Sequence, residues 1–279
     1  MRFYSETLGI SESEFIILRN LIHEKTGIFF ENGKRETLAD KISPFLIERG
    51  FSSFLDYYYL LRYDENADDE WSRLMDVITV PETFFWREPD QIHALSKVLM
   101  PEFVASKGGE PIRIVSIPCS SGEEPLTIAI SLLEEGWFDR TSVEIYAGDI
   151  SQRAIKRAQN GLYREFSFRN MKPEMRDKYF TKQEGGWRIS PSVSSKIIFD
   201  VTNLFDESYY ERIDMAHIIF CRNVFIYFST DAIQRALKIF YRRLKTPGYL
   251  CTGASESLLK VTNDFELTDI NGALIYKKR

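Results

Sequence analysis

From Pro111 onward, short apolar runs of strand character alternate with helix-patterned stretches, and that alternation limits the fold more than any other feature. The order is IRIVSI, a helical stretch over 123–135, VEIYAGD, a second over 151–160, HIIFC, a third over 230–245, and YLCTGA. Strands separated by whole helices must cross over and return parallel. The expected product is an open α/β sheet covered on both faces, with its ligand at the carboxyl ends of the strands. Two closing strands, about 265–269 and 273–277, meet at Asn271-Gly272 and are expected to form a hairpin. Residues 163–200 break the alternation, with Gly185-Gly186 between short strand-like runs, and predict a small antiparallel insertion.

Upstream, residues 11–79 carry only the helical period. Ser11 followed by Glu14 is a capping box, opening a helix whose apolar stripe includes Phe15, Leu18 and Ile22 and which Gly27 ends. Further helices are expected over 34–48, 52–62 and 68–79. The expected organisation is therefore an all-α domain over 1–79 and an α/β domain over 80–279, the β-subdomain inserted at about 163–200.

Composition excludes several classes. An apolar fraction of 44% with 14% aromatics builds a sizeable core in 279 residues. The net charge is −5 and no basic block exceeds Lys277-Lys278-Arg279, which argues against nucleic acid as a partner. No apolar run reaches the ~18 residues of a membrane span, and MRFYSETLGISESEF lacks the apolar segment of a signal peptide. Cys119, Cys221 and Cys251 have no paired spacing, as expected of a reduced, cytoplasmic chain. His23, His93 and His217 are isolated, so no metal is expected.

The stretch SIPCSSGEEPLTIAI, residues 116–130, runs from strand through a glycine turn into a helix, as phosphate-binding loops do. Glu123 and Glu124 follow the turn at once and would repel a phosphate. The neighbouring strands end at Asp149, placed like the acid that accepts ribose hydroxyls in dinucleotide folds, and at Cys221-Arg222-Asn223. A ribose acceptor without a phosphate cradle, beside carboxylates, suits a cationic nucleoside such as S-adenosylmethionine. Simpler readings stand beside this one. A Glu pair in a first helical turn complements the helix dipole, and Asp149 also serves as a turn or cap residue.

Three blocks, VPETFFWREPDQ (80–91), SIPCSSGEEPLTIAI and IIFCRNVFIYFS (218–229), resemble the signature blocks of chemotaxis receptor methyltransferases of the CheR type. The likeness extends over nearly the whole chain. It implies a class I methyltransferase sheet of Rossmann-like form, S-adenosylmethionine as donor, S-adenosylhomocysteine as product, and glutamate side chains of methyl-accepting chemotaxis proteins as acceptors. Position by position, Thr83 and Arg87 match donor-contacting residues, while Pro81 replaces the usual Asn and removes an amide side chain. Glu124 is the member of the pair expected at the donor, and Asp149 the acid on the ribose. Asn203 and Leu204 match the stretch flanking adenine. Cys221, Arg222 and Asn223 match the fourth-strand end, and Tyr227 the tyrosine near the transferable methyl. Cys119 and Cys221 also read as small buried residues, and Phe225 and Phe228 as core.

The implied chemistry needs few residues. A glutamate carboxylate, with reference pKa near 4.3, is already ionised at neutral pH, so no general base has to create the nucleophile. Arg87 and Tyr227 are the candidates for holding it. Two other classes stay open on the residues alone: a methyltransferase acting on nucleic acid or a small molecule, and a non-catalytic donor-binding module. Lys34, Arg35, Lys41 and Arg49, on or near one helix, read either as a solvated helix face or as a basic face that steers an acidic receptor. The short run Tyr179–Trp187 predicts methylation independent of a receptor tether, and a monomer is expected. Pro81, Trp86 and Ile117-Pro118 resemble branches of the family serving alternative chemosensory pathways.

Overall fold

The structure, a computed structural model, describes residues 8–65, 67–106 and 108–279. The first seven residues, including the start of the stretch read above for a leader, lie outside the described residues. The chain divides into two compact units, one reaching Val80 and including Tyr227–Ile233, the other comprising Pro81–Ile226 and Gln234–Arg279.

The first unit is built from α1 (Glu12–Thr26), α2 (Arg35–Glu48), α3 (Phe54–Tyr63) and α4 (Ala67–Ile78). The Ser11 hydroxyl accepts the Glu14 amide while the Glu14 carboxylate accepts the Ser11 amide at 2.8 Å, satisfying two helix-end donors reciprocally. Gly27, at φ 79°, stops α1 and donates its amide back to His23. Phe15, Ile22, Leu38, Leu46, Phe54 and Tyr57 form the buried interior. This unit also takes a segment from far along the chain, which a purely helical reading does not foresee. Ile28 bridges antiparallel to Phe228, Phe29 donates its amide to the Tyr227 carbonyl at 2.9 Å, and His23 Nε2 lies 2.7 Å from Ser229 Oγ.

The second unit begins with α5 (Pro89–Ala94), a π-helical turn over Leu95–Leu99 and α6 (Met100–Ser106). There follow β1 (Ile112–Ser116), α7 (Glu123–Glu134), α8 (Trp137–Arg140), β2 (Val143–Asp149) and α9 (Gln152–Asn160). The insertion holds β3 (Leu162–Tyr163), α10 (Pro173–Tyr179), β4 (Phe180–Gln183) and β5 (Gly186–Ile189). The chain continues through α11 (Pro191–Ser194), β6 (Ile197–Val201), α12 (Glu207–Ile213), β7 (Ala216–Phe220), α13 (Thr230–Arg243), β8 (Leu244–Cys251), β9 (Phe265–Ile270) and β10 (Ala273–Lys278).

Seven strands form one sheet in the order β6-β2-β1-β7-β8-β10-β9, in which β10 runs against its neighbours and the other pairs are parallel. Ile114 stands opposite Ile145 and Ile218 on one face of the sheet, and its neighbour Val115 stands opposite Tyr146 and Ile219 on the other, so helices can cover both faces of these strands. Asn271 (φ 53°) and Gly272 (φ 87°) supply the two positive angles of the β9–β10 turn. This is the architecture of class I methyltransferases.

The insertion is narrower than the sequence suggests. A separate three-stranded sheet, β3-β5-β4, closes at Ile189, and residues 197–201 are not part of it but pair with β2 as the edge strand β6 of the main sheet. An edge strand is half solvated, as Ile198 and Val201 are, so it lacks the continuous apolar run of a central strand. Phe85, from ahead of α5, packs between Tyr163, Phe168 and Phe180 at centroid distances of 4.9–5.1 Å, fastening the first motif block to the insertion. Among the described residues, no helix is long and apolar enough to cross a membrane.

Candidate functional site

The site is assembled where β1, β2, β6, β7 and β8 end. Beyond β1, Ile117 donates its amide to the Phe220 carbonyl and Cys119 to that of Gly148, both at 2.8 Å, so the loop is stitched to both flanking strands. It then turns through Ser120 (φ 49°) and Gly122 (φ 92°). A Cβ on Gly122 would sit 2.8 Å from the Ala158 Cβ, so both the angle and the space require glycine. The turn presents the Ser120 amide to Asp149 Oδ2 at 2.8 Å, and the Ser151 amide meets Oδ1 at 2.9 Å. Two backbone donors thus fix the orientation of this buried carboxylate. Beside it the Ser120 hydroxyl is buried with no hydrogen-bond partner among the described residues.

The adjacent glutamates of α7 do different things. Glu123 accepts the hydroxyls of Ser121 (2.7 Å) and Ser167 (3.0 Å), tying the loop to the insertion. Glu124 accepts the Ser116 hydroxyl at 2.7 Å and the Arg222 guanidinium at 3.1 Å. Burial pushes both carboxyls above the ordinary range, and for Glu124 the Arg222 charge works against that rise.

Arg222 joins the three motif blocks. Besides Glu124, its Nη2 donates to the Arg87 carbonyl at 2.7 Å and pairs with Glu88 at 3.1 Å. Its side chain is only 2% exposed and its Nε is buried without a hydrogen-bond partner among the described residues. Arg222, expected at the donor, turns its charged end onto two carboxylates and a carbonyl of the chain. Glu88 also accepts the Asn223 side-chain amide (3.4 Å) and the Ala254 amide (3.1 Å). Glu256, 5% exposed, accepts the amides of Asn223 at 2.8 Å, Gly253 at 2.7 Å and Ile226 at 3.3 Å. Neither Glu88 nor Glu256 is singled out by the sequence reading. The available signal was a glycine directly after a strand with an acid three positions on.

The remaining candidates fall out as follows. Arg87 donates to the Glu82 carbonyl at 2.8 Å and lies 5.5 Å from the Phe84 ring centre, half-buried. Thr83 is half-buried and Pro81 exposed in the same segment. That segment is pinned by the amides of Phe85 and Trp86, which donate to the Ser167 carbonyl and the Thr127 hydroxyl. The Asn203 side chain accepts the Phe205 amide at 3.0 Å, turning the chain after β6, and Leu204 beside it is buried. Cys221 is fully buried and donates its amide to the Cys251 carbonyl. Tyr227 is 38% exposed and belongs with the helical unit.

The four cations read as a receptor-steering face do not form a free basic stripe. The Arg49 guanidinium is paired with the buried Glu70 carboxylate at 2.8 Å. Lys41 turns its ammonium onto the Ile78 carbonyl, where burial lowers its pKa. Arg35 pairs with Glu36 at 2.8 Å and with Glu12 at 3.6 Å. Lys34 alone of the four stands fully exposed without such an ion pair among the described residues.

Comparison with known proteins gives this geometry its context. The family model described as the CheR methyltransferase all-alpha domain matches residues 13–79, and that described as the CheR methyltransferase SAM binding domain matches residues 81–273. The chain belongs to the CheR methyltransferase family. It is 32% identical to chemotaxis protein methyltransferase 2 of Vibrio cholerae over 272 residues, covering 96% of this chain and 94% of that one. It is 27% identical to chemotaxis protein methyltransferase 1 of Pseudomonas aeruginosa, covering 98% and 100% of the two chains. A Pseudomonas putida protein named probable biofilm formation methyltransferase WspC is 28% identical, over 85% of this chain and 55% of that one.

The CheR site fits S-adenosylmethionine, the donor of this methyltransferase. Asp149 is an oriented acceptor for hydroxyls, Ser120 keeps a buried hydroxyl unmatched, and the acids Glu88 and Glu124 outnumber the single buried guanidinium between them. An excess of negative charge at the strand ends favours a cationic ligand and disfavours a phosphate.

Proposed function

We propose that this CheR enzyme methylates glutamate side chains of methyl-accepting chemotaxis proteins, producing glutamate methyl esters and S-adenosylhomocysteine in the cytoplasm, without a metal and as a monomer. The observation that carries the proposal is the convergence of all three motif blocks on Arg222, which builds one acidic, preorganised floor at the strand ends.

In this reading Asp149 accepts the donor's ribose hydroxyls, its carboxylate held ready by the Ser120 and Ser151 amides. Asn203 and Leu204 flank the adenine, Thr83 and Arg87 contact the donor, and Cys221 and Asn223 meet its amino-acid end. Glu124 favours the positive charge of that end, while Arg222 acts on the donor through Glu124 and Glu88. When bound, S-adenosylmethionine supplies a methyl group on a sulfonium, an activated centre for displacement. The acceptor glutamate is ionised at neutral pH, so the chain's contribution is alignment, whose effective molarity reaches roughly 10⁵–10⁸ M in well-oriented intramolecular reactions. Arg87 and Tyr227 provide it. Arg87 already shares its guanidinium with the Glu82 carbonyl, which moderates its hold on a carboxylate whose charge disappears as the ester forms.

The test is incubation with radiolabelled S-adenosylmethionine and the host's receptor signalling domains, followed by mild alkali. Esters release the label as volatile methanol. Label that stays on the receptor after alkali, or that enters RNA and not receptor, refutes the proposal.

A further inference from the structure

We infer that Glu256 is a positioning residue for methyl transfer: its buried carboxylate fixes the backbone at Asn223 and thereby the floor of the donor site. The inference rests on the donor-site reading above and adds to it a residue outside the three motif blocks.

Glu256 draws together two loops from different strand ends. Its Oε2 receives the amides of Asn223, after β7, and Gly253, after β8, at 2.8 and 2.7 Å, and its Oε1 receives Ile226 at 3.3 Å. Three backbone donors converging on one carboxylate form a nest whose anion the chain itself supplies. What they secure is not a relaxed loop. Asn223 has φ 61°, a left-handed angle that non-glycine residues adopt uncommonly and keep when their surroundings impose it. The fit on the other side is equally tight. A Cβ on Gly253 would come within 2.5 Å of Asn223 Nδ2 and 2.9 Å of Glu256 Oε2, so glycine is what lets the three residues close up. Asn223 in turn reaches Glu88, the partner of Arg222, so the position set by Glu256 passes directly into the acidic floor.

Removing the carboxylate leaves the amides of Asn223 and Gly253 without their acceptor and frees Asn223 to relax to negative φ. The test measures S-adenosylhomocysteine affinity by calorimetry on the full chain for Glu256→Ala, Glu256→Gln, Asn223→Ala and Glu256→Ala/Asn223→Ala. Glu256→Ala is expected to weaken binding roughly 10- to 100-fold, the scale of losing charge-assisted hydrogen bonds. Glu256→Gln keeps an acceptor for two amides but turns an N–H toward that of Ile226, so a loss of roughly 3- to 10-fold is expected. Both substitutions loosen the same loop, one by releasing the Asn223 amide and the other by releasing its side chain from Glu88, so the losses of the double variant should be less than additive. A control, Ile275→Ala in β10, should lower the melting temperature and leave affinity unchanged while folded. Wild-type affinity in Glu256→Gln, which carries the test if the alanine variant does not fold, or fully additive losses, overturns the inference. Wild-type affinity in Asp149→Ala, whose carboxylate the donor-site reading places on the ribose, refutes that reading itself, and the role of Glu256 with it.

Discussion

Arg222 is where a single substitution should do most damage, and the structure sets its scale. Arg222→Met keeps the length of the side chain and removes its charge and donors. At 3.1 Å and an effective dielectric constant of about 20, each of the two carboxylate pairs represents roughly 5 kcal/mol of attraction before desolvation is subtracted. Glu88 is more exposed than Glu124, so its pair is the more screened. Breaking a buried pair by removing one partner costs about 3–5 kcal/mol, because the other charge is left uncompensated. Against a total stability of about 5–15 kcal/mol, that is a large fraction.

The loss should depend on pH in a definite direction. The folded-state pKa of Glu124 is already raised by burial, and deleting the guanidinium removes the charge that opposes the rise. The folded variant then binds more protons than its unfolded chain at any pH between the two values, so its stability falls as pH increases through that window. The deficit against wild type should be greatest near neutrality and should shrink as pH is lowered toward the ordinary carboxyl value of 4.5. Denaturant unfolding of both proteins at about pH 7.5 and about pH 5.5 measures it. A deficit below about 1 kcal/mol at the higher pH, or one that does not change between the two, would falsify the assignment of Arg222 as the compensating charge.

Other outcomes follow from the same geometry. Asp149→Ala should weaken S-adenosylhomocysteine binding by about 1–3 kcal/mol in calorimetry, and unchanged affinity would remove Asp149 from the site. Gly122→Ala, which needs a left-handed angle and meets Ala158, should lower stability by about 1–3 kcal/mol in thermal unfolding and weaken the donor; a wild-type melting curve would contradict the contact. Tyr227→Phe should lower kcat for receptor methylation far more than it alters donor affinity, and equal losses in both would make Tyr227 a structural residue.

Much of the fold was legible because period and punctuation are local. Ser11 with Glu14, the stop at Gly27 and the turn at Asn271-Gly272 each announce an element within a few residues, and each element formed there. The strand β6 was not legible as part of the main sheet, because an edge position leaves Ile198 and Val201 half in water. The helical run over 89–106, with its π-turn, also went unread. The motif blocks located the site, but the bonds that unite them did not follow from spacing. Arg222 meets Arg87 across 135 positions, and nothing local in either stretch names the other. The partners of the basic helix were hidden for a related reason: a sequence displays the charges of Lys41 and Arg49 and conceals that a carbonyl and a buried Glu70 already meet them.

The capture of Tyr227–Ile233 by the helical unit has a consequence for the order of events at the ribosome. Ile28 and Phe228 are separated by 200 positions of chain. At about 5–20 residues per second, the partner of Ile28 emerges roughly 10–40 s after Ile28 itself. The four helices are therefore complete in sequence long before the unit they form is complete in contacts. During that interval Phe29 lacks its acceptor and His23 its serine. The helical unit finishes assembling only when the segment after β7 has left the ribosome. A fragment cut at Val80 reproduces the waiting form and not the finished one.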